Sequence, residues 1–389
     1  MTELVIRTEK YFDGAVYHGG GPYRVIIKDG VIRSVTADNG AASDLVTPFL
    51  MPGLVEAHCH IFLDGGELDF QKRNAYFKAD FPAMREVALA NLDRSRAAGI
   101  TVIRDAGDRY GVNHAMRVAL SSDPLALAQL RSPGLGVRRP KRYGAFMARE
   151  VVEASDLPAI IGEMAATADD VKIILTGIID FEAGGVKGEP QFNAEELAVI
   201  VAAAHQQNRK TFAHCSGLDG LEVAVAAGVD SIEHGFFMTE DILKQMADKG
   251  IAWVPTFSPV HFQWARPELV PWNAQTVVNL RKILDSHAEH VALAFKHGVP
   301  LVAGSDAGSQ GVVHGTALID ELFHFLDAGL PMAEVLISAT SRPRHLWGMA
   351  SADVAVGNQA DLVLLNGSPF ENAEALRGAT KVVRGMAVG

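Results

Sequence analysis

Short apolar runs alternate with helical patterns over the centre of the chain. The runs fall at Leu54 to Ala57, Thr101 to Arg104, Leu125 to Leu130, Val171 to Leu175, Thr211 to Ala213, Ser231 to Glu233, Ala252 to Thr256 and Pro300 to Ala303. Between them, apolar residues recur at helical spacing over Phe81 to Ala98, Ala194 to Gln207, Leu221 to Ala227, Asp241 to Lys249 and Thr276 to His297. Glycines 99, 228, 250 and 298 stand where four of these helices should close. The two ends read differently. Leu4 to Arg7, Tyr23 to Lys28 and Val31 to Val35 are strand-like, with Lys28-Asp29-Gly30 as a hairpin turn, and Asp361 to Leu365 and Lys381 to Arg384 resemble them. Apolar strands alternating with helices predict an α/β fold, a (β/α)8 TIM barrel over 50–349. The strand-rich ends, 1–49 and 350–389, predict one small β-sandwich built from both termini.

Composition narrows the function classes. The chain has 389 residues, 48% hydrophobic and 21% charged, enough for a large core. A formal charge of −11 argues against nucleic acid or an anionic membrane as partner, since both require a basic surface. No apolar run approaches the roughly 18 residues of a membrane span; Leu197 to Ala204 is among the longest. Glu3, Arg7, Glu9 and Lys10 interrupt the N-terminus, so it lacks a secretory apolar segment. Two cysteines, Cys59 and Cys215, are too few for a disulfide scaffold. A cytoplasmic protein acting on a small molecule is the expectation, and a homo-oligomer is compatible with it. Phosphate-cradling GxxxxGK[ST] and GxGxxG loops and the GxSxG elbow are missing from the sequence.

Barrel chemistry belongs at the C-terminal ends of the strands. The first strand ends in His58-Cys59-His60; residues two apart share a face, so both histidines point inward and Cys59 packs outward. The fourth strand carries Lys172, the fifth ends at His214, the sixth at His234, and the eighth runs into Asp306. Alone, a strand-end histidine is a structural residue, a lysine can snorkel outward, and Asp306 can cap a loop. Six such residues at one mouth make a transition-metal site the better account. A charged lysine cannot ligate, but burial favours its neutral amine, which can take up carbon dioxide and become a two-oxygen anion able to bridge two metals. Arg138, Arg139, Lys141, Arg142 and Tyr143 form the one basic cluster, expected to clamp a substrate carboxylate. His261 and His314 lie in loops where they could meet substrate.

This constellation resembles the amidohydrolase superfamily, in the binuclear branch with a carboxylated lysine. Pro52 to His60 is similar to its first-strand signature, Lys172, His214, His234 and Asp306 follow in its order, and Ala360 to Leu365 looks like its returning strand. Lys172 to Gly177, Pro190 to Leu197 and Ser231 to Gly235 are most similar to the imidazolonepropionase-like and Xaa-Pro dipeptidase (prolidase-type) group. The resemblance implies two Zn2+ per chain, other divalent metals being compatible. His58, His60 and Asp306 would hold one, His214 and His234 the other, with carboxylated Lys172 between. It also implies hydrolysis of a C–N bond in an amide, cyclic amide or dipeptide-like substrate. Asp306 and His234 are then the catalytic candidates. The chain departs from the dipeptidase pattern after the third strand, where a Gly-Gly-His segment is replaced by the basic cluster. Heterocycle deamination and lactone or ester hydrolysis are alternatives on the same site. A non-catalytic scaffold fits worse, because all six ligand positions are filled.

Overall fold

The two-residue turn Asp29-Gly30, with φ of 51° and 80°, joins strands Tyr23–Lys28 and Val31–Ala37 in antiparallel register. Left-handed backbone at both positions gives the twist that paired strands need, which is why Asp-Gly stands there. The computed structural model describes residues 3–389. Strands from both ends share one eight-stranded sheet. Leu45–Pro52 is its junction: it pairs parallel with Glu3–Phe12 on one side and antiparallel with Asp361–Leu365 on the other. Ala379–Arg384 and Ala387–Val388 extend the C-terminal side. The sheet has its own core, with Ile6, Val25, Ile27, Leu50, Leu362 and Val383 buried together.

The centre is α/β. Leu54–Cys59, Ile100–Asp105 and Gln129–Arg131 pair in parallel. A second parallel set runs in the order Ala148–Glu150, Gly136–Arg138, Asp170–Ile174, Lys210–Cys215, Ser231–His234, Ala252–Val254. The 301–307 segment connects the two sets. Leu301 bridges Trp253, Ala307 bridges Cys59, and the Ala303 carbonyl accepts the Ala57 N–H at 3.1 Å. At the other join, the Ser132 carbonyl accepts from Asp169 N–H, and Arg131 grips Asp170 at 2.8 and 2.9 Å.

Helices follow the strands, and several start on side-chain caps. Asn193 and Glu196 form a reciprocal capping box on Ala194–Gln206, Asp80 caps Phe81–Ala97, and Asn273 caps Ala274–His297. Glu240–Lys249 and Ala274–His297 close on Gly250 and Gly298 as expected. None of the helices among the described residues is long and apolar enough to cross a membrane.

Three expected strands are shorter than the apolar pattern suggests. Leu125 to Leu130 contracts to Gln129–Arg131, because Asp123 accepts the Leu125 N–H and turns the chain through Pro124, leaving Leu125 69% exposed. Ala252 to Thr256 stops at Val254, since Thr256 turns left-handed (φ 52°). Pro300 to Ala303 reduces to the single bridge at Leu301.

Candidate active site

In Leu54–Cys59 the alternating residues Glu56 and His58 face inward, and His60 follows on the same side. His58 presents Nε2 to Asp306 at 3.7 Å, and His60 Nε2 lies 3.5 Å from the same oxygen. One ligand atom from each of His58, His60 and Asp306 lies within 4.8 Å of the others. Lys210–Cys215 brings in Phe212 and His214, and Ser231–His234 supplies Glu233 and His234. The rings of His214 and His234 are 4.6 Å apart, and those of His234 and His58 4.9 Å. Lys172, from Asp170–Ile174, is buried with Nζ 4.8 Å from the centre of the Phe212 ring. All six residues expected at the strand ends therefore meet at one mouth.

Neighbours hold the ligand rings in orientation. Glu233 accepts from His58 Nδ1 at 2.5 Å, from the Ser231 hydroxyl at 2.6 Å and from the Arg104 guanidinium at 2.9 Å. His58 is thereby left with Nε2 for the site, a carboxylate–histidine arrangement that raises the basicity of a metal ligand. His234 Nδ1 is 2.7 Å from the Thr256 hydroxyl. His214 Nε2 donates to the Gly177 carbonyl at 3.4 Å. His60 Nδ1 is buried with no hydrogen-bond partner.

Burial sets the charge states. It lowers the imidazole pKa of His60 and His214 to about 3, helped by the nearby Lys172 charge, and holds His58 and His234 well below the usual histidine range. All four are neutral, the form that binds metal. Burial also lowers Lys172 to about 8, against the pull of Glu233 and Asp306, and raises Asp306 to about 7, against the pull of Lys172. Neutral imidazoles that turn the Nε2 atoms of His58 and His60 toward one carboxylate suit a divalent cation.

The amidohydrolase family profile matches residues 49–389. The chain belongs to the amidohydrolase family. It is a hydrolase acting on carbon–nitrogen bonds. It is 29% identical over 343 residues to an uncharacterized protein of Mycobacterium tuberculosis, covering 83% of this chain and 85% of that one. It is 27% identical over 366 residues to ochratoxinase of Aspergillus niger, covering 85% and 72%. A solved Xaa-Pro dipeptidase with methionine in its active site superposes over 100% of both chains, with a TM-score of 0.85 at 24% identity, a likeness of fold.

In this amidohydrolase the mouth opens into a cavity of about 260 Å3, lined by His214, His234, Asp306 and, at its side, Tyr143. Of the seven side chains expected to contact substrate, Tyr143 alone lines it, its ring 5.1 Å from His214. The arginines expected to clamp a carboxylate are not among the lining residues. Arg138 is buried, pairs with Glu150 and donates to the Arg142 carbonyl at 2.8 Å. Arg139 pairs with Glu196 at 2.5 Å and lies over Phe192. Arg142 donates to the Glu189 carbonyl. Each guanidinium finds a partner on a neighbouring segment, so residues adjacent in sequence point away from the cavity. His261 lines a different cavity of about 480 Å3, its ring edge-on to that of His324 at 4.7 Å. His314 is buried with neither ring nitrogen partnered and does not line the mouth. Cys59 and Cys215 are buried in the core, where burial raises both thiols, consistent with packing.

Sequence reasoning missed Glu233, Arg104, Glu56 and Thr256. Glu56 accepts from the Ser305 N–H and hydroxyl and from His58 N–H. Glu56, Arg104 and Glu233 are charges inside otherwise apolar strands, the same signal that singled out Lys172.

Proposed function

We propose that this amidohydrolase cleaves a C–N bond of a small amide-like substrate with two divalent cations, zinc by ligand preference. His58, His60 and Asp306 would hold one, His214 and His234 the second, with Lys172 carboxylated between them. The clustering of the His58, His60 and Asp306 ligand atoms within 4.8 Å carries this reading. A lysine lowered to about 8 supports the carboxylation, because the neutral amine is the form that adds carbon dioxide. When bound, such cations bring the pKa of water down to about 7 and polarise a carbonyl.

The chain's own residues do the rest. Asp306 takes the proton of the attacking water and passes it to the leaving nitrogen, a task suited to a carboxylate set between the ligand histidines. Glu233 fixes the tautomer of His58, and the Thr256 hydroxyl orients His234 beside the scissile bond. We read the strand pairings as a closed (β/α)8 barrel over 50–349. Its companion is a β-sandwich from 1–49 and 350–389; the separate core of the terminal sheet supports that division.

The test is metal counting with mass spectrometry of gently handled protein, alongside amide hydrolysis. Two equivalents, a 44 Da (about one carbon dioxide) addition lost in Lys172→Ala, and turnover abolished in Asp306→Asn are expected. Two equivalents retained in Lys172→Ala, or full activity in Asp306→Asn, would overturn the assignment.

A further inference from the structure

The cavity above the six-residue cluster has a chemical character of its own. Its walls are Ile178, Ile179, Phe181, Phe236, Pro259 and Val260. Among the described residues, no lysine or arginine lines it. Arg142 donates to the Glu189 carbonyl, and Lys187 Nζ lies 3.8 Å from Asp180; neither lines the cavity. The hairpin that supplies Ile179 and Phe181 also carries Asp180 and Glu182, neither of which lines the cavity. Its tip is pinned to the long helix Ala274–His297, where Asn279 donates to the Phe181 and Glu182 carbonyls. A carboxylate laid against these walls, away from the ligand cluster, would meet no lysine or arginine side chain, and burying it unpaired costs far more than burying an apolar group returns.

Two glutamines at the rim define what polar group is welcome. Gln263 Oε1 accepts the Trp272 indole N–H at 2.8 Å. An indole only donates, so the orientation of the amide is fixed and its NH2 is the end left for a ligand in the cavity that Gln263 lines. Gln310 donates from Nε2 to the Leu68 carbonyl at 2.8 Å. A carbonyl only accepts, so Gln310 Oε1 is left as the free end. The rim therefore offers a neutral donor and a neutral acceptor, the complement of a second amide.

We infer that the substrate is an uncharged amide. An apolar or aromatic group lies against the Ile178–Phe181 wall, a neighbouring carboxamide or urea-type group is read by Gln263 and Gln310, and the leaving amine carries no free carboxylate. This rests on the C–N hydrolase reading and specifies its substrate class. A matched pair tests it: N-benzoyl-phenylalanine and N-benzoyl-phenylalaninamide. Benzoate release is followed with zinc-loaded enzyme, and binding to metal-depleted protein by calorimetry. The carboxamide should exceed the acid by at least tenfold in both, and Gln263→Arg should shrink that ratio tenfold or more. Gln310→Lys repeats the trial from the other side of the rim if the first variant folds poorly. Equal binding, a preference for the acid, or binding of neither overturns the inference. Cleavage of neither, with the binding preference intact, supports the substrate class and counts against the hydrolase reading.

Discussion

Replacing Glu233 by glutamine removes one charge from a position that three groups share. Its carboxylate is fully buried and holds His58 Nδ1 at 2.5 Å, Ser231 Oγ at 2.6 Å and Arg104 at 2.9 Å. An amide has one accepting oxygen, so either His58 or the Arg104–Ser231 side must face its NH2. Arg104 is 2% exposed, so its guanidinium is left without a counter-ion away from water. Breaking one side of such a buried pair costs about 3–5 kcal/mol. The rings of Phe212 and Trp347, at 4.3 and 4.8 Å, and the Ala57 carbonyl at 2.8 Å remain and offset part of it. We expect Glu233→Gln to lose roughly 3 kcal/mol of stability in urea unfolding of metal-free protein. Loss of the carboxylate behind a ligating histidine should also weaken metal binding by about 10- to 100-fold in a titration. Stability changed by less than about 1 kcal/mol, together with unaltered metal affinity, would refute the role given to Glu233.

Glu321 gives a pH prediction. It accepts from Phe257 N–H at 2.9 Å and from Ser258 N–H and Oγ at 2.6 Å, yet burial raises its pKa from 4.5 to about 8. A raised carboxyl binds its proton more tightly in the native state. Its contribution is therefore full below pH 4.5 and falls away as pH rises toward 8. The stability of wild type minus that of Glu321→Gln should drop by up to about 1.4 kcal/mol per pH unit between those limits; a flat difference contradicts it. Arg139→Ala should cost about 1–2 kcal/mol through the lost Glu196 pair and Phe192 contact, with kcat/KM altered alike for neutral and anionic substrates. An effect confined to anionic substrates would restore the clamp. Asn193→Ala removes a capping box and should lower the urea midpoint by the equivalent of about 1 kcal/mol without touching metal affinity.

What could be read from the sequence was whatever a repeating side-chain pattern encodes. His58 and His60 share a face because strands alternate, and Asp29-Gly30 forms a turn because few other pairs accept its backbone. The pattern misled where local chain chemistry overrode it. Leu125 to Leu130 is apolar enough for a strand, but the Asp123 turn takes its first half out of the sheet. At Arg138 to Arg142 it is silent on direction, because adjacency reports charge alone. Glu150, Glu196 and the Glu189 carbonyl, each distant in sequence from its arginine, decide where those side chains go.

The deeper gap lies at the strand ends. Alternation sends Glu233 and His234 to opposite faces, yet Glu233 sits behind His58 and the His234 ring lies 4.9 Å from that of His58. His234 manages this by turning left-handed, with φ of 68°, and Thr256 and Asp306 do the same at 52° and 55°. For residues other than glycine, sparsely populated backbone of this kind costs about 1–3 kcal/mol each, so something must hold it. At His234 the holders are explicit. The Trp253 indole donates to its carbonyl at 2.9 Å, and Gly235 N–H donates to the Cys215 carbonyl at 3.0 Å. The indole can reach only because residue 235 has no side chain: a Cβ there would stand 2.3 Å from Trp253 Nε1. Asp306 is held likewise by its N–H on the His58 carbonyl at 2.7 Å and by the Ser309 hydroxyl at 3.1 Å. Of the seven non-glycine positions with positive φ among the described residues, three are thus two of the six ligand candidates and the partner of one of them. That is where a fixed backbone does most for a site that must hold its groups to fractions of an ångström. A periodic reading cannot detect such turns, since they leave the hydrophobic pattern unchanged. His234-Gly235, a polar residue at a strand end followed by glycine, is the one local trace.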